Sequence, residues 1–194
     1  MARTIEKTKQ EKSIIVEELQ ERLILNNALS SKPFISYLKT TQIGSFARYD
    51  CTFISATTKI VADAKIRKLP YTYEYVMDKG IFIEVSKYDN MLKLAEKMQS
   101  IPYYINYVPL NENEGYLMLI NLMEIQFLKR NIEIYIGRTG DYQKRHVIDL
   151  NNTPKELIKI QYKKLMDDNK DFLNSLYSIY ANNNYEMQNL LNIL

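Results

Sequence analysis

The sequence has 194 residues and a mass of 22.9 kDa, with 46% hydrophobic and 25% charged residues. This composition is typical of a globular protein with its own core, and it excludes disordered and collagen-like chains. A net charge of +3 permits a nucleic-acid partner without requiring one. One Cys and one His exclude a Cys/His zinc site and a disulfide framework, so any metal ion is expected on carboxylates.

The N-terminal segment MARTIEKTKQEK is basic and polar and precedes no apolar run, which argues against a secretory signal. The sequence contains no stretch of about 18 apolar residues, so no membrane contact is expected. We therefore expect a cytoplasmic protein that forms one domain over residues 1–194.

Apolar periodicity predicts the first elements of the chain. Apolar residues recur every four positions from Glu11 to Leu29 and predict an amphipathic helix. Phe34–Leu38 is expected to form a short helical turn or an edge strand. The period then changes to two over Phe46–Lys68, with a polar break at Ser55–Thr58, which predicts a β-hairpin.

Beyond the hairpin, the pattern predicts a mixture of strands and helices. Strand, helix and strand follow one another there, and this order favours an α/β crossover. The predicted segments are strands within Tyr71–Val85, a helix over Asp89–Gln99 with Asp89 as N-cap, strands at Pro102–Val108, Tyr116–Leu122 and Ile132–Ile136, and helices from Pro154 to Leu194.

The hairpin brings two acidic residues together. Burying the apolar residues of both strands on one face requires Cys51 to lie opposite Ala62, which makes Cys51 a small core residue. This register fits a two-residue turn at positions 56 and 57 or a four-residue loop. It also places Asp50 opposite Asp63.

Two carboxylates opposite each other have Cβ atoms roughly 4.5 to 5.5 Å apart and repel unless a cation or a proton intervenes. Lys65 lies two positions beyond Asp63 on the same face of the strand. The pattern therefore predicts a divalent-metal site beside a lysine. Ligation by oxygen alone suits Mg²⁺ or Mn²⁺.

The segment RYDCTFISATTKIVADAKIRK resembles the core motif of the PD-(D/E)XK nuclease superfamily, with Asp50 as the first acid and Asp63-Ala64-Lys65 as the (D/E)-x-K tripeptide. The resemblance extends more weakly over residues 11–123. It implies an α/β restriction-endonuclease-like mixed sheet flanked by helices, to which residues 124–194 add a strand and extra C-terminal helices. No Pro precedes the first acid, and the second acid is Asp where Glu is commoner.

The resemblance implies a Mg²⁺-dependent nuclease that hydrolyses phosphodiester bonds in DNA, with RNA left open as a substrate. Asp50, Asp63 and the Ala64 carbonyl would hold the metal. Lys65 would position the attacking water and stabilise charge on the phosphate in the transition state.

Families of this type sometimes recruit a further acid from the first helix. Glu18 is our choice as that metal ligand, with Glu17 and Glu21 as alternatives. The cations expected to hold the nucleic-acid backbone are Lys59, Arg67 and Lys87.

A second nuclease motif is weaker. YIGRTGDYQKRH at residues 135–146, taken with Gly115-Tyr116, resembles the GIY-YIG motif, in which an Arg on a helix, here Arg145, follows the YIG strand. The first half reads GYL instead of GIY and lies farther from YIG than in that family, so a strand followed by a basic turn is favoured. His146 is expected to be structural.

Two further features leave the function open. The alternating residues Tyr71, Tyr73 and Tyr75 suggest one face of a strand, where packing is favoured over stacking on bases. The C-terminal helices are expected to serve packing or homo-oligomer contacts. The alternative to a nuclease is a non-catalytic nucleic-acid-binding protein or a phage assembly protein that keeps the same fold.

Overall fold

The computed structural model of the protein describes the backbone of residues 9–43, 47–135 and 142–181, and the side chains of 13–43, 47–130, 132 and 144–180. The helices are α1 (Lys9–Ser30), α2 (Tyr73–Lys79), α3 (Val85–Met98), α4 (Tyr162–Asp168) and α5 (Lys170–Ala181). The strands are β1 (Ile35–Thr40), β2 (Cys51–Ser55), β3 (Thr58–Ile66), β4 (Ile81–Glu84), β5 (Ile101–Pro109), β6 (Gly115–Asn121), β7 (Phe127–Tyr135), β8 (Tyr142–Ile148) and β9 (Lys155–Ile160). Within this part of the chain, no helix combines the length and apolar character needed to cross a bilayer.

The strands form two sheets. The larger sheet has the order β1-β2-β3-β5-β6-β9, and the smaller has the order β4-β8-β7. Strands β3 and β5 are parallel, whereas the other neighbouring strands are antiparallel. The chain between β3 and β5 forms α2, β4 and α3, so the expected crossover is present, with β4 in the other sheet. The fold is therefore a mixed α/β sheet flanked by helices, as expected.

The predicted register of the hairpin is confirmed. Cys51 pairs with Ala62 and Ser55 pairs with Thr58, which leaves a two-residue turn. The φ of +54° at Ala56 lies in that turn. The regular ladder ends at the pair of Cys51 and Ala62, so Asp50 lies just beyond the ladder and is not in a regular pair with Asp63.

Strand β3 is paired on both edges, and both of its faces are covered by other elements. Ala62 and Ala64 pack with residues of α1 and α4, including Leu25. Val61 points to the opposite face and packs with α3 and the smaller sheet, including Met91. Asp63 shares the face of Val61 by strand alternation and is only 5% exposed. The acid of the D-x-K tripeptide is therefore a buried carboxylate.

The prediction of strands within Tyr71–Val85 is wrong for the first half of that segment. The Thr72 hydroxyl accepts a hydrogen bond from the Tyr75 N–H at 3.3 Å and caps helix α2, so the three alternating tyrosines begin a helix. Gly80 ends that helix with a φ of +78°, and a Cβ there would lie 2.5 Å from the carbonyl oxygen of Ile148. The chain then enters β4.

The C-terminal prediction also needs correction. Residues 155–160 form strand β9 on the edge of the larger sheet, because alternate residues such as Ile158 pack on its core. Residues 142–148 form strand β8 where a basic turn was expected, and α3 begins at Val85 rather than at Asp89. Helix α5 packs on α1 within the chain. Residues 136–141 of the YIG segment and the predicted helix over 182–194 lie outside the described residues.

Candidate active site

The Asp50 carboxylate is held from two sides. Its Oδ2 accepts a hydrogen bond from the backbone N–H of Ala64 at 2.8 Å, and its Oδ1 accepts one from Arg22 Nη2 at 3.2 Å. The backbone N–H of Asp50 donates to the Ala62 carbonyl at 2.8 Å. These bonds fix the carboxylate against β3 at the end of the hairpin.

The Asp63 carboxyl group lies within hydrogen-bonding reach of Asp50. Burial, the largest cause, raises the pKa of Asp63 to about 6, and the charge of Asp50 and a hydrogen bond with it act in the same direction. Lys87 opposes this shift, since its Nζ lies 2.9 Å from Oδ1 and 3.1 Å from Oδ2 of Asp63. The two predicted acids are therefore together, although they are not a regular ladder pair.

A third carboxyl group comes from α1 and belongs to Glu21. Burial and then the charge of Asp50 raise the pKa of Glu21 to about 8, while Arg22 opposes the rise. The side chain is 14% exposed, and its Oε1 lies 2.6 Å from Arg22 Nη1. The charge of Asp63 also acts on Glu21. Three carboxyl groups therefore share one poorly solvated site.

The structure favours Glu21 over our choice of Glu18. The charge of Glu18 acts on Tyr180 of α5, and Glu17 lies 2.9 Å from Lys68. Glu21 lies one turn before the buried residues Ile24 and Leu25, which pack on the larger sheet. This spacing was the available signal, because residues three and four apart share one face of a helix.

Arg22 was missed by the sequence analysis. It is 7% exposed, and besides Asp50 and Glu21 it donates to the carbonyl and hydroxyl oxygens of Thr41 at 3.3 and 2.9 Å. The sequence signal for Arg22 was its place among the apolar positions of an amphipathic helix. A charged residue at such a position is buried only when it is paired. Arg22 orients Asp50 from α1.

The predicted lysines and arginine fall in different places. Lys65 is exposed next to the acids, and its charge acts on Glu21. Lys59 is exposed at the start of β3, about 13 Å along the strand from Asp63. Lys87, expected on the nucleic-acid backbone, instead binds Asp63.

Arg67 also differs from its predicted role. Its Nε donates to Asn106 Oδ1 at 3.0 Å, and its Nη2 donates to the Tyr104 hydroxyl at 2.8 Å and to the Phe82 carbonyl at 3.1 Å. These bonds join the end of β3 to β5 and to β4 of the smaller sheet. The geometry gives Arg67 a structural role, and its contact with a phosphate backbone stays a prediction.

The site contains carboxylate oxygens, which are the ligands that a hard divalent cation requires. These oxygens are not arranged around a common metal position. Among the described side chains, no group of three or more His, Cys, Asp or Glu residues is placed to hold a metal ion. The oxygens of Asp50 and Asp63 are instead held by Arg22, by the Ala64 N–H and by Lys87. Carboxylate and backbone carbonyl oxygens are nevertheless the kinds of ligand that Mg²⁺ and Mn²⁺ prefer.

The second nuclease motif is not supported where the structure describes it. Arg145 lies on strand β8 and pairs with Glu84 of β4, whereas the motif requires an Arg on a helix. His146 is 6% exposed and packs against the rings of Tyr88 and Phe127. Burial lowers the pKa of His146, as expected for a structural histidine.

Comparisons with known proteins find that the chain is similar in structure to a solved protein. A scan against protein-family models finds no match, and a search of curated proteins finds no significant match. Among solved structures, the chain is similar to Hjc, a Holliday junction resolvase from the archaeal hyperthermophile Archaeoglobus fulgidus. The match has 11% sequence identity and a TM-score of 0.41, and it covers 69% of this chain and 83% of that chain.

Proposed function

We propose that the protein is a nuclease that hydrolyses phosphodiester bonds in DNA with Mg²⁺ or Mn²⁺. The metal ligands would be Asp50, Asp63 and the Ala64 carbonyl, with Glu21 as a further acid. The observation that carries this proposal is the closeness of the Asp50 carboxyl group to the buried Asp63, beside a third acid and next to the exposed Lys65.

The electrostatics of the acids support a cation site. Burial removes the water that would screen charge, and the charge of Asp50 then adds to the rise in pKa of both Asp63 and Glu21. The pKa values of Asp63 and Glu21 are both raised for this reason. Strongly perturbed acids gathered at one point are typical of functional sites, and a divalent cation would relieve the repulsion.

Each residue would have a distinct role in hydrolysis. A bound metal would polarise the scissile phosphate and lower the pKa of a water molecule. Asp50 would bind the metal, and Arg22 and the Ala64 N–H hold its carboxylate against β3. Lys65, exposed on the same face of the strand, would hold the attacking water and stabilise negative charge on the phosphate.

The proposal is tested by cleavage assays on purified protein. Duplex, single-stranded and branched DNA, together with RNA, are incubated with Mg²⁺, Mn²⁺ or EDTA. We expect metal-dependent cleavage of DNA that falls by roughly 100-fold or more in Asp63→Asn and Lys65→Met. Lys93→Met, which changes an exposed lysine on α3, is the matched control and should keep full activity. Cleavage that persists in both site variants, or no cleavage of any substrate, would contradict the proposal.

A non-catalytic nucleic-acid-binding protein is the second candidate. It is favoured by the ion pair of Lys87 with Asp63, which already neutralises one acid without a metal. In that case the wild type would bind DNA equally well with EDTA and with Mg²⁺, and no substrate would be cleaved. Asp63→Asn would then leave DNA affinity unchanged.

A further inference from the structure

Lys87 occupies both oxygens of the buried acid on β3. Its Nζ lies 2.9 Å from Oδ1 and 3.1 Å from Oδ2 of Asp63. The Asp63 side chain is 7% exposed, whereas the Lys87 side chain is 37% exposed. A partly exposed lysine side chain therefore neutralises a buried carboxylate.

The packing of α3 on the larger sheet places Lys87 next to Asp63. Met91 and Ala95 are buried against the face of the larger sheet that also carries Val61 and Asp63. Lys87 precedes Met91 by four residues, so it lies one turn earlier on the same side of the helix. The first turn of α3 thus delivers a positive charge to Asp63.

An ammonium group and a divalent cation compete for these oxygens, because both bring positive charge to the same carboxylate. A metal ion binds carboxylate oxygen at about 2.1 Å in the case of Mg²⁺, and it would lie within a few ångströms of the ammonium nitrogen. Two cations at that separation repel strongly in a poorly solvated site. Because Lys87 is partly exposed, its flexible side chain can move outward without displacing α3.

We propose that Lys87 is a built-in counter-ion that takes the place of the metal at Asp63 and must be displaced when a divalent cation binds. This inference rests on the proposed metal site and adds a positioning residue to it. Lys87 thereby keeps the buried acid neutralised in the metal-free protein. It also sets the concentration of metal at which the site fills.

The test is direct binding of Mn²⁺ to DNA-free protein, followed by electron paramagnetic resonance and calorimetry. We expect Lys87→Met to bind Mn²⁺ about tenfold more tightly than the wild type, which corresponds to about 1.4 kcal/mol. Lys87→Gln keeps a hydrogen-bond donor without the charge and is expected to show the same direction. Lys93→Met should bind Mn²⁺ like the wild type. Without metal, Lys87→Met should have a lower Tm than the wild type, and Mn²⁺ should raise it by more.

The outcomes separate this inference from the proposed function. Equal or weaker Mn²⁺ binding by both Lys87→Met and Lys87→Gln would overturn the counter-ion role. If the Lys87 variants gave that result and Asp63→Asn abolished Mn²⁺ binding, the metal site would still be supported. If neither the wild type nor the Lys87 variants bound Mn²⁺, both the metal site and the counter-ion role would fall.

Discussion

The Asp50 carboxylate accepts a hydrogen bond from the backbone N–H of Ala64, 2.8 Å away, across the end of the β2–β3 ladder. The Asp50 N–H bonds to the Ala62 carbonyl, which departs from the regular register. The chain therefore leaves the regular β2–β3 ladder at Asp50. The hydrogen bond from Ala64 turns the Asp50 side chain toward β3, where it meets Asp63.

Glu21 is expected to support metal binding, and Glu18 is not. The charges of Asp50 and Asp63 both act on Glu21. We expect Glu21→Gln to weaken Mn²⁺ binding by about 10- to 100-fold, the range for residues that orient or complete a metal site. Calorimetry on DNA-free protein measures this effect. Glu18→Gln is the matched control from the same helix, and an equal loss in both variants would contradict the assignment.

The stability of the metal-free protein should fall as the pH rises from about 6.5 to 8.5. Glu21 has a pKa raised from 4.5 to about 8 in the fold, so in this range the folded protein binds more protons than the unfolded chain. Stability from a raised acid pKa is complete below the unfolded value and is lost as the pH passes the folded value. The expected decrease in unfolding free energy is roughly 1 to 2 kcal/mol.

Urea unfolding in EDTA at several pH values measures this decrease. Glu21→Gln removes the titrating group and should flatten the profile in this range, whereas Glu18→Gln should leave the slope in place. A wild-type stability that rises with pH would show that Glu21 is ionised in the folded protein.

Local patterns were sufficient to predict the hairpin and its register. Side chains alternate along a strand, and a shift of one position would have exposed Cys51 and Phe53, so only one pairing buried both apolar sets. The same reasoning failed over Tyr71–Val85, because the cap at Thr72 starts a helix there and overrides a short alternation. Residues 155–160 were assigned to a helix because their alternation is short and is followed by a long helical segment.

The partners of the acids were less accessible to sequence reasoning. Lys87 lies 24 residues from Asp63, and Arg22 lies 28 residues from Asp50. Their contacts depend on how α3 and α1 pack on the sheet, which no local pattern specifies. Residue type and spacing thus predicted which carboxylates meet, but not which cations neutralise them.

Arg67 is expected to contribute to stability. Its guanidinium bonds to Asn106 and to the Tyr104 hydroxyl, and Arg67→Met would leave those buried polar groups without this donor. We expect a loss of about 2 to 4 kcal/mol in unfolding free energy, measured by urea denaturation with an unchanged m-value. Lys68→Met, which breaks an exposed ion pair with Glu17, should cost less than about 1 kcal/mol. If Arg67→Met kept the wild-type unfolding free energy but bound DNA more weakly, the predicted contact of Arg67 with the phosphate backbone would be supported instead.

Lys59 remains predicted to contact the nucleic-acid backbone, because its exposed side chain lies near the hairpin turn and on the strand that carries Asp63 and Lys65. A lysine that neutralises one phosphate releases about one counterion, so its removal weakens binding uniformly and lowers the slope of log K against log salt by about 0.9. We expect this change in Lys59→Met, measured by fluorescence anisotropy with duplex DNA at several salt concentrations. Lys164→Met on α4 is the control, because α4 packs on the opposite face of the larger sheet. An unchanged slope in Lys59→Met, or an equal change in Lys164→Met, would remove Lys59 from the interface.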